Sequence, residues 1–198
     1  MEKALGQYIS KYADLSNEDL ELIRPRMEVR EFAKRQLLTQ AGEKEQYLNL
    51  VVRGVLRKYF FKGRDEVITQ LAKEGDLICS SVSFFSGQPS QYAVEALEPT
   101  IVYSLSRESL EELYALSLRI QKLARIVITD LYLSKEKREQ DHIQFDIRER
   151  FVNFVHNNAD LIQRVPQKYI ASYLNIKPET FSRLKHLLKK APLVATLS

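Results

Sequence analysis

The feature that most constrains this chain is a change of period near Ser106. Before it, short apolar segments are separated by glycine-bearing turns. After it, apolar residues recur every three or four positions. Met27–Phe32, Tyr47–Val52, Val55–Phe61, Val67–Leu71, Tyr92–Ala96 and Ile101–Leu105 are rich in β-branched and aromatic residues, which suit a half-buried pleated surface. Gly42, Gly54, Gly63, Gly75 and Gly87 lie at or near their ends. Short strands at this spacing predict a sandwich or barrel. The lack of helical patterns between them argues against a parallel βαβ sheet. Upstream, residues 1–25 read as helical. Ser16 is the expected N-cap, Asp19 completes an acidic capping box, Leu20 and Ile23 supply the apolar face, and Pro25 ends the helix.

Beyond Ser106, Leu113, Leu116, Ile120, Leu123 and Val127 predict a helix running from about Arg107 to Arg138. Ile126, Ile128, Leu131 and Leu133 widen its apolar surface, so two covers are needed. One is the β domain. The other is expected to be the same helix of a second subunit, which makes Leu113, Leu116, Ile120, Leu123 and Val127 the predicted dimer interface. Burial within one monomer is the alternative. Lys135–Asp141 reads as a hinge or exposed helix end. Phe145, Phe151, Phe154 and Val155 mark a further helix, which Asn157-Asn158 ends.

Composition narrows the class. A hydrophobic content of 44% with 28% charged residues is ordinary for a globular protein. No apolar run approaches the roughly 20 residues of a membrane span, and Met1–Leu5 lacks the pattern of a signal peptide. Cys79 is the single cysteine, so neither an intrachain disulfide nor a cysteine metal cluster is expected, and a cytoplasmic location follows. The net charge of +4 falls entirely on residues 140–198, with nine basic and five acidic side chains, whereas residues 1–139 carry 21 of each. A neutral front and a basic back suggest different partners, the basic part attracting phosphate.

Pro166 to Lys185 is the most informative stretch. Pro166 suits the start of a short helix. Ile170, the small Ala171 and Leu174 form its inner face. Asn175 stands where a tight turn needs a left-handed residue, Ile176 is an apolar plug, and Pro178 suits the first turn of a second helix. At 100° per residue, Phe181, Leu184, Leu187 and Leu188 fall on one side of that helix. Glu179, Ser182, Arg183, His186 and Lys190 fall on the other. Arg183 is suited to guanine O6 and N7, Glu179 to cytosine N4, and Ser182 to either kind of base edge. Lys168, Lys177 and Lys185 are placed for phosphates. An ordinary helical hairpin with a polar outer face is the alternative. Other chemistry finds little support. His142, His156 and His186 have no metal-ligand spacing, no phosphate-cradling Gly-rich motif or nucleophile elbow is present, and no enzyme activity is expected.

These residues resemble the C-terminal domain of the cyclic AMP receptor protein family, the Crp/Fnr regulators. Pro178 to Arg183, Pro-Glu-Thr-Phe-Ser-Arg, is similar to the family's recognition helix Arg-Glu-Thr-Val-Gly-Arg, with Pro178 replacing an Arg that reads a base. The resemblance implies an α+β fold: an N-terminal cyclic-nucleotide-binding-type β-roll (jelly roll), a long dimerisation helix, and a C-terminal helix-turn-helix domain. It places these at 1–106, 107–139 and 140–198. Its wing is expected to be reduced or absent, since only Ala191–Ser198 follow. The implied DNA-binding residues are Lys168, Lys177, Glu179, Thr180, Ser182, Arg183, Lys185 and His186.

Gly54 matches a turn glycine of the family, and Gly75-Asp76-Leu77-Ile78 resembles the start of its phosphate-binding segment. Cys79-Ser80-Ser81 and Gln91-Tyr92-Ala93 then stand where cyclic-AMP binders have Gly-Glu-Leu and Arg-Ser-Ala. Ser80 replaces the Glu that holds the ribose, and Gln91 the Arg that pairs with phosphate. The implied effector pocket is Asp76, Cys79, Ser80, Ser81, Gln91 and Tyr92, without the charge-assisted phosphate contact. Ordinary cyclic AMP binding is not expected. The pocket is read as holding another small molecule or as a structural relic, with Phe84 and Phe85 as core, and no cofactor is required. The implied partners are double-stranded DNA, a second copy of the chain and, for an activator, RNA polymerase, with no membrane. A small-molecule-binding module with a vestigial helix-turn-helix is the alternative.

Overall fold

The structure, a computed structural model, describes Tyr8 and residues 16–190, with side chains as far as His186. The wing expected to be reduced or absent after residue 190 lies outside the described residues. The chain divides into two units, residues 1–135 and 136–198.

In the first unit, α1 (Asn17–Ile23) is capped as expected: the Ser16 hydroxyl accepts from the Asp19 N–H, and the Asp19 carboxylate accepts from the Ser16 N–H. A 3-10 turn over Arg24–Arg26 takes up Pro25. Eight strands follow: β1 (Met27–Phe32), β2 (Leu37–Thr39), β3 (Tyr47–Arg53), β4 (Leu56–Lys62), β5 (Asp65–Ala72), β6 (Leu77–Ile78), β7 (Ala93–Ala96) and β8 (Thr100–Ser106), with the short helix α2 (Ser81–Ser86) between β6 and β7. Two four-stranded antiparallel sheets result, in the orders β1-β8-β3-β6 and β2-β7-β4-β5. The two short strands β2 and β6 were not legible in the sequence, because two or three residues are too few to show a period.

Phe32, Val51, Ile78 and Val102 of one sheet meet Leu56, Ala72, Val94 and Ala96 of the other in a buried core. Gly54 makes the turn from β3 into β4 possible. Its φ is +106°, and a Cβ there would lie 2.8 Å from the Thr100 Cα. Only glycine meets both demands without strain.

A second core lies on the opposite face of the first sheet. It joins Leu50, Tyr103 and Leu105 to Ile23, Leu110, Leu113, Ile120 and Leu123. Of the stripe expected at a dimer interface, Leu113, Ile120 and Leu123 are buried inside their own unit, and Val127 packs partly buried against the same cluster. Of the five, only Leu116 is exposed. The sheet's outer face needed a cover, and the helix stripe supplies it. The helix is also not continuous. It runs as α3 (Arg107–Leu116) and α4 (Leu118–Gln144), broken at Ser117, whose backbone is extended. The Ser117 hydroxyl accepts from the Ile120 N–H at 3.3 Å and donates to Asp19 at 2.9 Å, so a residue of α1 anchors the break. The charged stretch Lys135–Asp141 is part of α4.

The second unit holds the end of α4, then α5 (Ile147–Asn157), α6 (Ala159–Arg164), α7 (Gln167–Tyr173) and α8 (Pro178–Lys190). Phe151, Phe154, Leu161, Val165, Ile170, Ala171, Leu174, Phe181 and Leu184 are its buried apolar side chains. Phe151 and Phe181 meet edge to face, centroids 5.1 Å apart, and tie α5 to α8.

Candidate nucleic-acid interface and effector region

The turn between α7 and α8 is built by Asn175. Its φ is +54°, in the left-handed region that Asn tolerates. The Asn175 N–H donates to the Ser172 carbonyl at 3.0 Å, and the Ile176 N–H to the Ala171 carbonyl at 2.9 Å. These two bonds form a Schellman cap, which satisfies the last carbonyls of α7 and reverses the chain within a few residues. Ile176 is half-buried in the turn, and Pro178 opens α8. Ala171 is fully buried, and its small side chain permits close approach of the second helix.

That geometry decides which face of α8 is free. Phe181 and Leu184 point into the unit's core, while Glu179, Ser182, Arg183 and His186 are exposed. Thr180 and Lys185 are half-buried at its flanks, and Lys168 and Lys177 are exposed. The Lys168 ammonium lies 4.9 Å from the Tyr169 ring centroid. Leu187, Leu188 and Lys190, assigned to the two faces from their period, have side chains outside the described ones. The result is a short ridge with hydrogen-bonding heads of both senses: a guanidinium, a hydroxyl, a carboxylate and an imidazole.

The residues expected to form an effector pocket are engaged differently. The Asp76 carboxylate accepts from the Lys73 N–H at 2.9 Å and closes the β5–β6 turn. Cys79 is buried, and burial pushes its thiol up to about 11, so at neutral pH it is protonated and lacks the thiolate that a redox sensor needs. The Ser80 hydroxyl accepts from Ser90 at 2.7 Å. Ser81 and Gln91 are exposed. The Tyr92 ring is half-buried and meets Phe60 edge to face at 5.8 Å, with the Lys58 ammonium 5.9 Å away. Phe84 is core, but Phe85 is exposed.

Sequence reasoning missed Glu45. Its buried carboxylate accepts from Thr39 Oγ1 at 2.6 Å, from the Ser80 N–H at 3.0 Å and from the Tyr47 N–H at 3.2 Å. Its own N–H donates to Ser83 Oγ at 2.9 Å. A carboxylate of the chain itself therefore occupies the backbone donor of Ser80, just before α2. Glu43 and Glu45 flank Lys44 in one polar run, and no period distinguishes the buried acid from the exposed one.

Residues 29–117 match the family model of the cyclic nucleotide-binding domain. No curated protein matches the chain. Among solved structures, the chain is similar to the c-di-GMP responsive global regulator CLP of Xanthomonas campestris, with 16% identity, TM-score 0.69, and 92% of this chain and 96% of that one covered. It is also similar to FixK2 of Bradyrhizobium japonicum, with 21% identity, TM-score 0.65, and 83% and 85% covered. A third similar structure is the catabolite activator protein of Thermus thermophilus, with 19% identity, TM-score 0.57, and 94% and 90% covered. At these identities the likeness speaks for the fold. Among the described residues, no group of three or more His, Cys, Asp or Glu could hold a metal ion, and no helix is long and apolar enough to cross a membrane.

Proposed function

We propose that the protein is a homodimeric, sequence-specific DNA-binding regulator of Crp/Fnr type, acting in the cytoplasm and not as an enzyme. The observation that carries this reading is the exposed face of α8. The Schellman turn at Asn175 and the burial of Phe181 and Leu184 present Glu179, Ser182, Arg183 and His186 outward on one rigid ridge. On this reading α7 and α8 are a helix-turn-helix, and α8 lies in the major groove. Arg183 bonds guanine and Glu179 accepts from cytosine, while Lys168, Lys177, Lys185 and Thr180 meet the backbone. Pro178 brings no base-reading side chain, so the preferred site differs from that of an Arg-bearing helix at that position.

Exposed Ile128 and Leu131 lie at helical spacing along α4 beyond its buried part, and they supply the apolar face for a second copy. In a dimer, two such units meet half-sites about 34–36 Å apart. The N-terminal unit senses the signal. Its Ser80 segment is filled by Glu45, which argues against cyclic AMP held in the usual way. An activator would also contact RNA polymerase.

The test is selection from a randomised duplex library at physiological salt without added ligand. Enrichment of an inverted repeat spaced by one helical turn is the expected result. A second reading, a small-molecule-binding module with a vestigial helix-turn-helix, is favoured by the family match lying wholly within residues 29–117. It requires DNA affinity that is weak, steeply salt-dependent and indifferent to sequence.

A further inference from the structure

The C-terminal unit contains a cavity of about 160 Å³ between the last turn of α4, helix α5 and the end of α7. We propose that this cavity is a binding site for a small anion bearing a phosphate or carboxylate group, separate from the base-reading face of α8. Two guanidinium groups line it, Arg138 and Arg150, against a single carboxylate, Asp141. Asn153 and Asn157 add amide donors.

Both arginines are held in place before any ligand arrives. Arg138 Nη2 donates to the Tyr173 carbonyl at 3.1 Å, and its guanidinium lies 4.1 Å from the Tyr173 ring centroid. Arg150 Nη1 donates to the carbonyls of Phe145 at 2.8 Å and His142 at 3.3 Å, at the C-terminal end of α4. Its Nε is buried and donates to no acceptor among the described residues. A desolvated guanidinium N–H without a partner is costly, and such an exception in a folded unit calls for an explanation. An anion in the cavity that Arg150 lines supplies a counter-charge for this guanidinium. His142, also in the lining, reports the same field: burial lowers its pKa, and the nearby charges of Arg138 and Arg150 lower it further, against the smaller opposing effect of Asp141. The imidazole is therefore neutral at pH 7, and the lining remains net positive through its arginines. Preorganised guanidiniums match carboxylate and phosphate geometry and lose little freedom on binding.

The location gives the site a consequence. Tyr173 and Leu174 line the cavity and immediately precede Asn175, so the anion sits one residue from the turn that orients α8. The inference rests on the cavity alone and does not need α8 to read DNA.

The test uses the full chain at constant ionic strength, titrated in parallel with inorganic phosphate and with succinate. The readout is the NMR signals of the Asn153 and Asn157 side-chain amides and the Arg150 Nε–H. Saturable shifts with at least one of the two anions are expected, and about tenfold weaker binding in Arg138→Gln. Response to phosphate alone identifies a phosphate ester as the ligand class, and response to succinate alone a carboxylate. Asn153→Ala, an exposed position, provides a variant that leaves the helix-end contacts of Arg150 intact, and it too is expected to weaken binding. Shifts that rise without saturation, or saturable shifts that both variants leave unchanged, overturn the proposal.

Discussion

The Ser80 segment of the first unit and the outer face of α8 in the second use polar residues in opposite ways. Around Ser80, the polar groups are spent on one another. Glu45 takes the Ser80 N–H and the Thr39 hydroxyl, Ser90 bonds Ser80, and Asp76 closes its own turn. On α8, Glu179, Ser182 and Arg183 are exposed and make no hydrogen bond or ion pair to another described residue. A buried polar group must be satisfied internally or it destabilises the fold. An exposed one is satisfied by water until a partner displaces it. Polar residues of similar kind thus serve architecture in one unit and stay exposed to solvent in the other. Sequence pattern alone does not separate the two uses.

Four substitutions and one control probe that contrast, from the largest effect to the smallest. Phe181→Ala removes the fully buried ring that seats α8 on Phe151. It is expected to cost about 3–5 kcal/mol in urea unfolding of the C-terminal unit and, on the proposed function, to abolish DNA binding with it. A loss much below that would mean that α8 is not held by its inner face, and the argument for which face is free would fail.

Glu45→Ala leaves the Thr39 hydroxyl and the Ser80 N–H without their acceptor. A loss of about 2–3 kcal/mol is expected in unfolding of the N-terminal unit, by the scale of hydrogen bonds to a charged group. A neutral result would show that the segment is open to water and not internally closed.

Arg183→Ala should do the reverse. Stability stays within about 0.5 kcal/mol, as for a surface residue, while discrimination at one base pair falls by about 1–3 kcal/mol in competition binding. Lys177→Ala serves as its control, weakening all sequences alike and lowering the salt slope by about one. If the two variants behave identically, Arg183 meets phosphate and not a base.

The smallest effect is expected from Asp19→Asn. Burial pushes this carboxyl up, but hydrogen bonds from Ser16 and Ser117 and the charge of Arg119 outweigh it, so its folded pKa lies below the ordinary value. A depressed carboxyl contributes stability above its unfolded pKa, and that contribution is lost as pH falls below about 4, through the folded value. The variant should flatten the acid limb of the stability profile. An unchanged limb would show that the anchor between α1 and the Ser117 break carries no weight.

Much of the candidate site was legible in the sequence. Asn175, Pro178 and the 100° stepping of Phe181 and Leu184 act within a few residues of one another, so their spacing is enough to predict both the turn and the buried face. The six longer strands were legible for the same reason, since alternation and turn residues are local. The Ser80 region was not legible. Its decisive contact joins Glu45 to a backbone N–H 35 positions away, and no local pattern marks a single acid in a charged run for burial.

The sequence by itself determined which residues share a face: the sheet faces, the helix stripe through Leu113, Ile120 and Leu123, and the two sides of α8. Periodicity follows from backbone geometry, and every residue carries it. Only the tertiary structure decided what covers each face. It turned the Leu113 stripe onto the chain's own sheet, left Ile128 and Leu131 exposed, and tied the helix break at Ser117 to an aspartate 98 positions earlier. An apolar stripe records only that it must leave water. The hydrophobic effect is non-directional, so the identity of the cover is settled by whichever complementary surface the folded chain brings within reach.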